Sequence, residues 1–163
     1  MRALILTAVT ATLGATIYTA VALGAPVPTQ DQRRIVAEFG RTYLPAFMPA
    51  GYIYVRWSVV EGSSGAAGDW PQVLFGDHGR LVQWTVEHTQ DPSTTSYQAC
   101  TRHKPFANKI FRRAGRILYY NGGAVGQEVT VCLPGHLGLV VWNDYSLSTA
   151  TLVKITASAH AVG

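Results

Sequence analysis

Apolar residues recur at helical spacing in the stretch that follows residue 28 of this chain. These residues are Ile35, Val36, Phe39 and Tyr43. Intervals of three and four residues place side chains on one side of a helix, so the pattern predicts an amphipathic N-terminal helix. Thr29 and Gln32 have the spacing of a capping box at its start. Pro45 and Pro49 end the helical pattern, because proline interrupts a helix interior.

The period changes to two after Gly51, and such alternation is typical of strands. The stretch YIYVRWSVV, residues 52–60, predicts a half-buried strand. Residues 73–88 predict a hairpin with its turn at residues 76–79. One side of its second strand is apolar, with Val82, Trp84 and Val86. The other side is polar, with Gln83, Thr85 and Glu87.

The second half of the chain predicts further short elements. We expect a loop at residues 89–98 and a short helix at residues 105–115, because Pro105 suits a first helical position and Gly115 suits the residue after a helix. Ile110 and Phe111 would equally suit a short strand, which we keep as the alternative. The stretches RILYY and VGQEVTVCL predict a second hairpin around the turn pair Asn121 and Gly122. The stretch LGLVVW then predicts a buried strand.

The fold class follows from strands in succession joined by short connections. We predict an α+β domain, in which helices pack on one face of a curved antiparallel sheet of about six to seven strands. Residues 148–161 leave two interpretations open. Ser148 would cap a C-terminal helix, which we favour, but strict alternation after Val153 also fits a strand and a mostly-β sheet.

The N-terminal segment predicts export. No charged residue occurs from Ala3 to Val27, and small residues follow the apolar stretch. Residues 1–24 therefore predict either a cleaved signal peptide or an N-terminal membrane anchor. Residues 25–163 have the length of one domain, and both alternatives place this domain outside the cytoplasm.

The two cysteines raise the sharpest chemical question in the sequence. Cys100, His103, Cys132 and His136 have the composition of a tetrahedral zinc site. However, an exported chain with two cysteines favours a single disulfide between Cys100 and Cys132. We predict the disulfide and keep the metal site as the alternative. No motif for another cofactor is present in the sequence, and we expect none.

A basic segment supplies the main candidate for binding. The chain carries a formal net charge of +4, and no acidic residue occurs between Asp91 and Glu128. Six cations lie within this interval: Arg102, Lys104, Lys109, Arg112, Arg113 and Arg116. They form either a solvated face or a surface for an envelope protein, anionic lipid or wall polymer. The predicted compartment argues against nucleic acid as a partner.

Catalytic motifs are absent from the sequence. Asp77 and His78 are adjacent, but turns select these residues for their backbone conformation. Glu87 and His88 end a strand, where we expect them to be solvated. A small secreted hydrolase or metal-dependent enzyme would need several histidines to converge in one pocket. The candidates for that alternative are His78, His88, His103 and His136.

Three stretches carry a resemblance to known proteins: LPAFMPAGYIYVRW, VQWTV and VVWNDYSLSTATLVKITASA. In this order they resemble small extracytoplasmic domains of unknown function in bacterial envelope proteins and anti-sigma-factor-like chains. The similarity covers most of residues 40–160 and implies a curved sheet with helical cover and a binding or sensing role. It implies no catalytic residues. Our predicted function is an exported, non-enzymatic envelope binding module.

Overall fold

The fold was taken from a computed structural model, which describes residues 27–61, 69–92, 94–101 and 107–163. The helices are α1 (Thr29–Phe39), α2 (Thr95–Cys100) and α3 (Thr149–Ala157). The strands are β1 (Thr42–Pro45), β2 (Ile53–Val60), β3 (Trp70–Asp77), β4 (Arg80–His88), β5 (Lys109–Arg113), β6 (Arg116–Gly122), β7 (Gln127–Leu133), β8 (Leu137–Asn143) and β9 (Ala159–Val162). The predicted export segment, residues 1–24, lies outside the described residues.

Seven strands form one antiparallel sheet in the order β2-β3-β4-β8-β7-β6-β5. A second, two-stranded sheet pairs β1 with β9. This arrangement confirms the predicted α+β class, the strand number and the N-terminal helix. No helix among the described residues combines the length and the apolar content needed to cross a membrane.

One side of the seven-stranded sheet, which we call the inner face, holds the hydrophobic core. Trp84, Val141 and Val129 lie side by side in the register of neighbouring strands, and all three are fully buried. Helices α1 and α3 and the β1–β9 pair supply the apolar residues that cover them. The indole nitrogen of Trp84 donates a hydrogen bond of 2.9 Å to the carbonyl oxygen of Tyr43 in β1. The predicted apolar side of β4 is thereby confirmed.

The opposite side, which we call the outer face, is covered in part by α2. The backbone N–H of Ser96 in α2 donates to the carboxylate of Glu87 at 3.0 Å. Gly138 of β8 lies next to Glu87 in the register, and a Cβ atom at Gly138 would collide with the side chain of Ser96. The glycine therefore allows the helix to pack directly on the sheet.

The two terminal helices have different caps. Ser148 accepts a hydrogen bond of 3.2 Å from the N–H of Thr151, as predicted, and the C-terminal helix is confirmed. The predicted capping box of α1 is wrong. Pro28 occupies the cap position, and the amide of Gln32 instead donates to the carbonyl oxygen of Val27 at 2.7 Å.

The predicted helix at residues 105–115 is wrong in the part that the structure describes. Residues 109–113 form β5, which pairs with β6. Alternation explains the strand, because Phe111 packs against the core while Ile110 points to the outer face. Ala114 and Gly115 then have φ angles of 50° and 73°, which suit a tight turn between two strands.

Three further segments also differ from the prediction. Helix α2 (Thr95–Cys100) begins inside the predicted loop at residues 89–98. The unpredicted strand β1 pairs with β9 near the other end of the described chain. Asn121 and Gly122 lie within β6 rather than in a turn, and the connection follows at residues 123–126. Asn108 explains this extension, because its side-chain oxygen accepts a hydrogen bond of 2.8 Å from the N–H of Gly122.

Candidate functional site

Cys100 and Cys132 form a disulfide that joins the end of α2 to β7. Their Cα atoms are 5.6 Å apart, and the bond closes a loop between two cysteines that are 32 residues apart in the sequence. The chain-entropy model gives a loop of this length about 3–4 kcal/mol of stabilisation. Both sulfur atoms are used in this bond, so neither is available as a thiolate nucleophile or metal ligand. A disulfide of this kind suggests a non-reducing, extracellular compartment.

The basic segment folds, where it is described, into the β5–β6 hairpin at the end of the sheet. Lys109, Arg112 and Arg113 are exposed on β5. In the described part of the chain, none of these three side chains forms an ion pair or a hydrogen bond. Arg102 and Lys104 lie outside the described residues. The hairpin therefore presents three cations without an internal counter-charge.

Exposed aliphatic side chains lie beside these cations. Arg112 pairs with Ile117 across the hairpin, and Ile110 is two residues away on the same side of β5. Ile110 is 58% exposed and Ile117 is 38% exposed. Because water is an unfavourable environment for these side chains, their exposure beside a cation marks an amphipathic surface. We call Lys109, Ile110, Arg112, Arg113 and Ile117 the hairpin surface. Within it Ile110, Arg112 and Ile117 lie on the outer face, whereas alternation places Lys109 and Arg113 on the side of Phe111, at the edge of the sheet.

Arg116 has a different position from the other cations of the segment. It is half-buried, and its guanidinium donates to the carbonyl oxygens of Ala157, at 3.4 Å, and Ala159, at 2.8 Å. These two carbonyls lie where α3 ends and β9 begins. Arg116 thus ties the hairpin to the C-terminal elements, and we leave it out of the hairpin surface.

The histidines predicted for the enzyme or metal alternative lie on separate elements. His78 is exposed in the β3–β4 turn next to Asp77, at the far end of that hairpin from His88. His88 and His136 lie at one end of the sheet, where the N–H of Thr89 donates to the carbonyl oxygen of His136 at 2.8 Å. His103 lies outside the described residues. Among the residues that are described, no three His, Cys, Asp or Glu side chains form a cluster able to hold a metal ion.

Two glutamates on the outer face have perturbed acidity that the sequence did not predict. Glu87 is 8% exposed, so the expectation that it is solvated is wrong. Burial raises its pKa, the hydrogen bonds from Ser96 oppose this, and the carboxylates of Glu128 and Asp91 raise it further. Burial also raises the pKa of Glu128, against a hydrogen bond of 3.3 Å from Asn121.

Alternation along β4 could not reveal this burial. Glu87 continues the polar side that begins with Gln83 and Thr85, and such a side usually faces water. Here the disulfide and α2 cover its end. The cover depends on a long-range bond, so no local pattern in β4 reports it.

Comparisons with known proteins add no assignment. No family model matches the chain, and no curated protein is significantly similar to it. The resemblance to extracytoplasmic envelope domains therefore stays a prediction, and the functional proposal depends on the geometry.

Proposed function

We propose that the protein is an exported, non-enzymatic envelope module that binds anionic lipid through the hairpin surface. The observation that carries this proposal is Arg112 beside the exposed Ile110 and Ile117 on the outer side of an edge hairpin. Two further exposed cations, Lys109 and Arg113, flank this group on the other side of the same strand. The hairpin has no acidic residue, so nothing on it repels an anionic headgroup. The alternative, a small hydrolase or metal-dependent enzyme that uses some of the four candidate histidines, stays a prediction.

Both kinds of side chain have a use at a lipid surface. Cations near an anionic leaflet contribute about 1 kcal/mol each, and this attraction decreases with salt. Aliphatic side chains gain further free energy when they enter the boundary between headgroups and acyl chains. A phosphate-bearing wall polymer would use the cations alone. The exposed isoleucines therefore favour a lipid over a polymer or a soluble anion.

The position of the hairpin also suits contact with a surface. Within the described residues β5 is one of the two edge strands of its sheet, and its turn at Ala114 and Gly115 is exposed. Lys and Arg on such a strand also prevent pairing with a strand of another chain. The disulfide is compatible with the extracytoplasmic location that the predicted export segment requires.

Vesicle binding tests the proposal. The protein is sedimented with vesicles of neutral lipid containing a fraction of phosphatidylglycerol, at low and at high salt. Arg112→Glu with Arg113→Glu should weaken binding about 30-fold or more, because two favourable charges of about 1 kcal/mol each are lost and then reversed. Arg33→Glu with Arg80→Glu is the matched control, since it changes the net charge equally at exposed positions elsewhere. This control should bind within about threefold of the wild type.

A second variant distinguishes lipid from other anions. Ile110→Ser with Ile117→Ser should weaken vesicle binding but leave the binding of a soluble polyphosphate unchanged. The proposal is wrong if the wild type does not bind these vesicles, or if the matched control loses as much affinity as the hairpin variant. Circular dichroism of each variant establishes that the fold is intact.

A further inference from the structure

A cleft of about 280 Å³ lies at the end of the sheet away from the β3–β4 turn. The end of α1, the start of β3, the end of β4 and the β7–β8 connection form its walls. Its apolar lining includes Phe39, Trp70 and Pro71. The volume is near the lower limit of about 300 Å³ for small-molecule pockets, so a ligand would be of amino-acid size.

Opposite charges line the same cleft without meeting each other. Arg41 and Asp69 both contribute to its walls, but no ion pair joins them in the described structure. The guanidinium of Arg41 lies 6.0 Å from the centre of the Tyr43 ring, and Asp69 makes no hydrogen bond to the described residues. The imidazole of His88 lines the cleft as well. One cation and one anion are thus left for a bound molecule.

The wall of the cleft also contains an unsatisfied polar group. Thr42 lines it, is only 2% exposed, and its hydroxyl oxygen has no hydrogen-bond partner in the described part of the chain. A buried polar group without a partner costs about 1–3 kcal/mol. Because this hydroxyl oxygen is shielded from solvent, the cost belongs to the fold of the wall and is not a contact for a ligand.

We propose that this cleft binds a small zwitterion with an apolar body, such as a free amino acid or the end of a short peptide. Arg41 pairs with the carboxylate of the ligand, and Asp69 pairs with its ammonium group. Phe39, Trp70 and Pro71 contact the apolar part. A simple anion would leave Asp69 facing a like charge, and a simple cation would do the same at Arg41. The cleft is separate from the hairpin surface, so this proposal is independent of lipid binding.

Calorimetric titration of the full chain tests the proposal with three related probes. L-Phenylalanine carries both charges, L-phenylalaninamide lacks the carboxylate, and N-acetyl-L-phenylalanine lacks the ammonium group. Each blocked probe should bind about tenfold more weakly than phenylalanine, because one charge-assisted hydrogen bond is lost. In the Arg41→Gln variant, phenylalanine should no longer bind more tightly than the amide, but should still bind more tightly than the acetylated probe. In the Asp69→Asn variant, phenylalanine should no longer bind more tightly than the acetylated probe, but should still bind more tightly than the amide.

Arg113→Gln is the matched control, because it removes a cation that lies outside the cleft. Arg41 and Asp69 are exposed, so their substitutions leave the core intact. The proposal is overturned if no probe binds at about 10 mM, well above a Kd of about 1 mM that corresponds to −4.1 kcal/mol. Equal affinity for the three probes overturns it too, as does tighter binding of the acetylated probe.

Discussion

The inner and outer faces of the seven-stranded sheet belong to the same strands but differ in how far they are buried. On the inner face, Trp84, Val129 and Val141 are fully buried under segments from both ends of the described chain. On the outer face, α2 covers one end, and Ile110, Arg112 and Ile117 of the hairpin surface stay open to solvent. Stability is therefore concentrated on the inner face, and the outer face is free to carry charged and exposed side chains.

Polar groups show the same contrast. The indole nitrogen of Trp84 is satisfied on the inner face by the carbonyl of Tyr43. On the outer face, burial raises the pKa of both Glu87 and Glu128. A hydroxyl is buried without a partner in the described structure on each side of the sheet, Thr130 on the outer face and Thr42 in β1 over the inner face. The contrast between the faces is therefore in the carboxylates, which the outer face holds, and not in the unsatisfied hydroxyls.

Alanine substitutions of two tryptophans on opposite faces should give the largest difference in the free energy of unfolding. Trp84→Ala should lower the free energy of unfolding by about 3–5 kcal/mol, because it empties a fully buried position. Trp142→Ala removes the same side chain from a half-buried position on the outer face, and should cost about 1–2 kcal/mol. Urea unfolding followed by circular dichroism measures both. Equal losses would mean that the outer face contributes as much to stability as the core.

Glu87→Gln should have a smaller effect, visible in the pH dependence of stability. The native pKa of Glu87 is raised above its ordinary value of 4.5. Between these two pKa values the unfolded chain has lost the proton that the native protein keeps, so stability decreases as pH rises through this window. Glutamine does not titrate and can still accept the hydrogen bond from Ser96. The free energy of unfolding of the variant should therefore decrease less than that of the wild type between about pH 4 and neutral pH.

Glu38→Gln is the control for this measurement, because Glu38 is exposed on α1. The decrease in stability that Glu87→Gln removes should persist in this variant. If Glu87→Gln also follows the wild type, the carboxyl of Glu87 is solvated, and the outer face is more open than the structure indicates.

Much of the inner face is predictable from the sequence, because local alternation reports it. Val82 and Val86 continue the apolar side of Trp84, and all three are buried as predicted. Strand β1 was not predictable, since it is stabilised by β9 from the other end of the chain. Residues 109–113 fit a helix and a strand equally well in isolation, and pairing with β6 decides between them.

The candidate sites were predictable to a lesser extent. The number of cysteines and the predicted compartment predicted the disulfide of Cys100 and Cys132, and the distribution of charge along the chain identified the cluster of cations. Composition did not reveal that Arg116 donates to two distant carbonyls. The cleft was missed because Arg41 and Asp69 come from separate segments that only the tertiary fold brings together.

Amide hydrogen exchange of the full chain with and without phosphatidylglycerol vesicles tests the central claim most directly. The outer edge of β5 has no strand partner in the described structure, so its amides report contact with a surface. We expect the vesicles to slow exchange in residues 109–117 and to leave α1 and α3 unchanged. Slowed exchange in α1 or α3 with none in the hairpin, or no change in any segment of the vesicle-bound protein, would contradict the proposed role of the hairpin surface.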